Sequence, residues 1–127
     1  METQLRSRLL ASSPVTAIAG KRVNWGVRPQ GEAYPSIVLT LVADGRPQHM
    51  GGLIDLRETR VQIDCYGKTR AQVAALREAV ISAIVPTATV SGVYFQRAFI
   101  NTVRTMDAHT DTGLVFRDMI DAQIWHD

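Results

Sequence analysis

The segment Arg60 to Val85, RVQIDCYGKTRAQVAALREAVISAIV, constrains the fold most, because it changes hydrophobic period once and marks the change. Val61, Ile63 and Cys65 alternate with Glu58, Arg60, Gln62 and Asp64. A period of two places apolar side chains on one face of a strand and polar ones on the other. This predicts a strand over Leu56 to Tyr66. Gly67-Lys68 turns the chain, and Thr69-x-x-Gln72 carries the capping-box pattern that opens a helix. Val73, Leu76, Val80 and Ile84 then recur at helical spacing, with Arg70 and Arg77 outside the stripe. Pro86 ends the helix. A half-polar strand followed by a one-sided helix predicts a helix lying on a sheet. The segment holds no paired acids, no nucleophile beside a base and no phosphate loop. It suits a part in an assembly better than an enzyme.

The flanking sequence extends the same architecture. Leu5, Leu9 and Leu10 share one face of a short N-terminal helix, with Arg6 and Arg8 on the other side. Ser13 is placed to cap a second helical turn, Pro14 to start it and Gly20 to close it. Val23, Trp25 and Val27 alternate, which predicts a strand over Lys21 to Arg28, and Pro29-Gln30-Gly31 is a turn. Ile37 to Val42 is apolar on both faces, as a central strand is. Ala43 to Asp55, with Asp44-Gly45, Pro47 and Gly51-Gly52, reads as a loop. Val93 to Arg104 and Gly113 to Trp125 read as two long strands, joined by a hairpin loop from Asp107 to Thr112. The sum is one α+β domain over residues 1–127: a mostly antiparallel sheet, one long helix packed on it and a short N-terminal helix.

Bulk properties exclude several classes. A chain of 127 residues that is 46% hydrophobic can bury a core without disulfides or metals. Its net charge of +2 is too mild to argue for nucleic-acid binding. Twelve of its fourteen bases are arginine, the cation favoured at interfaces. Cys65 is the single cysteine, so no internal disulfide forms. Charges in METQLRSRLLASS stand where a signal peptide needs an apolar core, and no apolar run is long enough for a membrane span. A soluble protein made in the cytosol is expected.

No constellation supports chemistry. His49, His109 and His126 share no metal-ligand spacing and read as solvated histidines. Asp107, His109 and Asp111 cluster locally, but Asp, Thr and Gly113 are also what a hairpin loop requires. Cys65 lies in the apolar register of its strand, where a thiol is a buried small hydrophobe and not a nucleophile. Gly51-Gly52 precedes no helix N-terminus and so cradles no phosphate. Trp25, Tyr34, Tyr66, Tyr94 and Trp125 are too scattered for a base-stacking platform and suit core or interface packing. The expected catalytic, cofactor-binding and metal sites are none. A different reading is a small α+β ligand-binding or enzyme domain, with residues 43–55 as a lid.

Three blocks carry a resemblance through most of the chain. The first is Gly20-Lys21-Arg22-Val23, then Pro29-Gln30-Gly31 and Tyr34-Pro35-Ser36-Ile37-Val38. The second is Arg60 to Tyr66 with Thr69 to Leu76 opening the helix. The third is Asp111-Thr112-Gly113-Leu114 with Ile120 to His126. In this order and spacing they resemble the tail-completion, or tail terminator, family of long-tailed phages and gene transfer agents. The sequence departs from the family at Cys65-Tyr66, where an aliphatic residue and an aromatic are expected. The resemblance implies a structural virion protein without catalytic residues or cofactors. It implies a homo-oligomeric ring, typically a hexamer, that ends the tail tube and joins it to the head-side connector protein. DNA would pass through the lumen without sequence-specific binding. In that setting residues 43–55 are expected to be mobile until a neighbouring ring orders them. The polar strand faces, Glu58, Arg60, Gln62 and Asp64 with Arg117, Asp121 and Gln123, are expected to line the lumen or meet the adjacent subunit.

Overall fold

The longest pairing in the molecule joins β5 (Arg57–Gly67) to β10 (Gly113–His126), antiparallel from Phe116 opposite Gly67 to His126 opposite Arg57. The structure, a computed structural model, describes residues 1–26, 34–45, 48–49, 52–53, 57–110 and 113–127, with backbone alone at 48–49, 52–53 and 108–110. On the other side of β5 lies β2 (Ser36–Gly45), antiparallel to it, and beyond that β1 (Val23–Trp25), parallel to β2. The far side of β10 carries β8 (Phe99–Thr105), and at either end of that stretch β9 (Ala108–Thr110) and β7 (Val93–Phe95), the latter paired with β6 (Ala88–Val90). β3 (Gln48–His49) and β4 (Gly52–Leu53) form a separate two-stranded hairpin. The sheet is antiparallel except at β1, as the α+β reading requires.

One face of this sheet is covered by α3 (Arg70–Ile84), with α1 (Glu2–Leu10) and α2 (Ser13–Ala19) packed beside it. Val73, Leu76, Val80 and Ile84 are all buried and share one cluster with Val61, Ile63, Cys65, Ile120 and Ile124. Removing that apolar area from water is the main force holding helix to sheet. The cap differs from the box pattern by one residue. Thr69 Oγ1 accepts from Gln72 N at 3.1 Å, but Gln72 Oε1 accepts from Lys68 N at 3.0 Å instead of from Thr69 N. Gly67 is required at the turn: a Cβ there would lie 2.6 Å from Cγ2 of Val73.

Several expectations are corrected. α2 starts at Ser13 itself, so its N-cap is Ser12, and Gly20 closes it at φ 60°. Arg8 is not on an outer face. It is buried, donates to the Pro86 carbonyl just past the end of α3, and lies 5.5 Å from the centre of the Phe95 ring. A cation there meets the negative end of the helix. β1 spans three residues of the strand expected over Lys21 to Arg28: Lys21 and Arg22 lie before it, Gly26 bends the chain after it at φ 84°, and residues 27–28, with the turn at 29–31, lie outside the described residues. β2 is interior but not buried throughout: Ile37, Val38 and Leu39 are buried, whereas Leu41, the last residue before a bulge against β5, and Val42, at the bulge, are exposed.

Where it is described, the loop expected over 43–55 is strand. Ala43, Asp44 and Gly45 continue β2 opposite Arg60, Thr59 and Glu58, and 48–49 pair with 52–53. The remaining positions of that segment lie outside the described residues, so its expected mobility does too. The strand expected over 93–104 is broken. Ser91 and Gly92, both at positive φ, turn β6 onto β7, a two-residue hairpin. Gln96 N still donates to the Trp125 carbonyl of β10 at 2.8 Å, but the Ala98 N–H is then drawn to the Val85 carbonyl at 3.1 Å, which takes the chain out of the ladder before β8 begins. Part of the loop expected over 107–112 is β9. Among the described residues no helix is long and apolar enough to cross a membrane.

Candidate functional site

Strand alternation gives the sheet two chemically different faces. Cys65, Ile63 and Val61 of β5 stand opposite Asp118, Ile120 and Ala122 of β10, and these point to the helices. Asp118 is the exception in that apolar row, with no exposed surface. Arg70 and Arg77, seven residues apart on α3, both donate to it, Arg77 Nη1 at 2.8 Å, and Thr105 Oγ1 donates at 3.0 Å. Arg70 also reaches Asp107 at 2.9 Å, so one guanidinium ties α3 to β10 and to the chain entering β9. The signal for this was legible: a lone acid in the apolar register of β10, and two arginines two turns apart on the longest helix among the described residues.

The other face is open. Here Glu58, Arg60, Gln62 and Asp64 stand beside Arg117, Asp121 and Gln123, as the alternation predicts. The structure joins them within the chain. Arg60 Nε donates to both oxygens of Asp121 at 2.9 and 3.1 Å. Arg117 donates to Asp64 through Nε at 3.1 Å and Nη2 at 2.9 Å, and Gln62 Nε2 donates to the other oxygen at 3.1 Å. The Arg117 guanidinium also lies 5.6 Å from the centre of the Tyr66 ring. The hydrogen bonds from Arg60 hold the Asp121 carboxyl below the usual carboxylate range. Arg60 and Arg117 are therefore internal partners first, so Arg60→Glu would set two carboxylates together inside the subunit and is not a clean probe of an interface.

His126 is not a solvated histidine. Its ring is buried, with Nε2 2.7 Å from Thr59 Oγ1 and Nδ1 3.0 Å from the Asp127 carbonyl oxygen. Nδ1 donates to the Asp127 carbonyl oxygen, and Thr59 Oγ1, whose one proton also has Asp44 Oδ1 within 3.3 Å, completes the contacts of the ring at Nε2. Burial holds its pKa below the ordinary histidine value, against the Asp127 hydrogen bond that raises it. The charged groups around it are the N-terminus, Asp44 and Arg57. A lowered pKa means that the unfolded chain binds the proton more readily. The His126 contribution to stability is complete above about pH 6.5 and is lost as pH falls through the folded value. The thermal midpoint should fall between pH 7 and 5, and the fall should be smaller in His126→Gln. Equal slopes in the two proteins would remove His126 as the source.

Other sequence candidates are placed as follows. Cys65 is fully buried, and burial first, then the charges of Asp118 and Asp64, push its thiol pKa far up. Asp107 accepts from Arg70 and from the Arg117 N–H. Asp111 and the side chains of His49 and His109 lie outside the description. Among the described residues no group of three His, Cys, Asp or Glu side chains is placed to hold a metal.

Residues 3–127 match the family model of tail completion protein gp17. The chain belongs to this family. As a tail completion protein it is a structural component of a virion tail and not an enzyme. No curated protein matches the sequence significantly. Among solved structures, a chain from the virion of a native gene transfer agent particle is similar with a TM-score of 0.72 over 99% of this tail completion protein and 93% of that chain. At 15% identity the likeness is one of fold.

Proposed function

We propose that residues 1–127 act as one unit that assembles with copies of itself into a ring, a hexamer by family resemblance. The ring ends the tail tube, meets the head-side connector and leaves a lumen for DNA. The observation that carries this reading is a pair of strand edges, on opposite sides of the sheet, that have no strand partner among the described residues. Among the described residues β8 pairs with β10 alone, and Thr40 to Ala43 of β2 have β5 as their single strand partner. Both edges expose apolar side chains: Phe99 and Val103 on β8, Leu41 and Val42 on β2. An exposed edge is a template for pairing with another chain. Two different edges meeting head to tail make a heterologous contact, which closes into a ring when the rotation per subunit allows it. The fold shared with a gene transfer agent virion chain, over nearly the whole length of both, supports a place in a particle of that kind.

The test places lysine at both exposed positions, Phe99→Lys with Val103→Lys, in the particle-producing host. Lysine on an edge opposes pairing, and both sites tolerate it in the subunit because they are exposed. The yield of completed particles should fall at least about tenfold, the factor that follows from 1.4 kcal/mol lost in assembly. Circular dichroism should be unchanged. Normal yield from the folded variant overturns the edge reading. In parallel, electron microscopy of neck regions should show a closed ring of this protein.

A further inference from the structure

The open face of the sheet carries equal charge of both signs. Across β5, β8 and β10 its arginines are Arg60, Arg104 and Arg117, and its acids are Glu58, Asp64 and Asp121. The pairing is what separates this face from a merely balanced one. Asp64 and Asp121 are 3% and 9% exposed, while the Arg60 side chain that covers Asp121 is 53% exposed. The acids are sunk between the strands and the guanidiniums lie over them. Each paired guanidinium presents Nε to its carboxylate, at 2.9–3.1 Å, with Nη2 beside it, which turns one of its two forked edges into the sheet and sets a negative charge against its own. Arg117 is held further by the Tyr66 ring. Arg–carboxylate and Arg–phosphate forks draw on the same donors, so an arginine paired with a carboxylate has fewer donors and no net charge left to offer a phosphate.

We propose that Asp64 and Asp121 mask Arg117 and Arg60, so that this face can lie along duplex DNA without holding it. The occupant rests on the ring reading above: DNA in transit needs a wall that does not grip. Affinity for duplex DNA grows with the number of phosphates neutralised, because each contact releases counterions. Unmasked arginines, repeated around a ring, would turn a conduit into a clamp. The sunk acids keep the arginine stems and planes as a smooth covering of the sheet while cancelling their field locally.

The experiment measures binding of the purified protein to a fluorescent blunt duplex DNA by anisotropy over a range of salt. Wild type should bind weakly with a shallow salt dependence. Asp64→Asn with Asp121→Asn keeps shape and leaves both arginine charges uncompensated. It should bind at least about tenfold more tightly at low salt, with a slope of log K against log salt steeper by about 0.9 for each new phosphate contact. Arg60→Gln with Asp121→Asn, which removes both charges of one pair, should bind like wild type. If Asp64→Asn does not fold, Asp121→Asn alone carries the test, since its partner already reaches solvent. Wild-type binding as tight as the acid variant overturns the proposal. So does a folded acid variant that binds no better than wild type, or a charge-deleted pair that binds as tightly as the acid variant. The same samples imaged for rings separate the two readings. Unmasking without rings removes the ring and keeps the mask, and rings without unmasking do the reverse.

Discussion

Replacing Arg70 and Arg77 together by methionine is expected to lower stability by about 3–5 kcal/mol, the range seen when a buried ion pair loses one side. Asp118 has no exposed surface, whereas Arg70 and Arg77 keep 38% and 26% of theirs. The loss therefore falls on the acid. A carboxylate stranded in the row of Cys65 and Ile120 has, among the described residues, Thr105 as its remaining side-chain donor, and an uncompensated buried charge is costly. Methionine keeps the helix propensity and most of the stem packing, so the change reports on the charge. Thermal melting should fall by at least about 10 °C for a domain of this size. Adding Asp118→Asn to the double variant should recover part of the loss, because it removes the stranded charge. A double variant that melts with wild type would show that the carboxylate does not depend on α3.

Leu76→Ala should cost about 2–5 kcal/mol, as large-to-small core changes do. Leu76 is fully buried in the cluster between α3 and the sheet, in line with Val73 and Val80. The loss combines the transfer energy of the removed carbons with the cavity left behind. The surrounding strands limit collapse, since β5 is fixed on both sides by β2 and β10. Chemical denaturation should show a lower midpoint with an unchanged slope. An unchanged midpoint would place Leu76 away from the core.

Local pattern determined the elements whose register is short-range. The β5 alternation, the Thr69 cap, the α3 stripe and the stop at Pro86 follow from neighbours in sequence, and the structure keeps all of them. So does the division of β5 and β10 into a polar and an apolar face, because a period of two assigns every residue to a side once one is known. The blocks spread along the chain also carried the family. Tertiary structure alone decided which side chains meet. Arg60 finds Asp121 and Arg117 finds Asp64 across 61 and 53 residues, and His126 finds Thr59 across 67. Polar residues on a strand face look alike in sequence whether water, a neighbouring subunit or the adjacent strand will satisfy them. The strand broken at 96–98 was hidden for the same reason, since its cause is the Val85 carbonyl at the end of a helix. Buried polar groups must be paired, but composition names only the donors and acceptors available. The pairing follows from strand order, and strand order is set when the whole sheet closes over the helices.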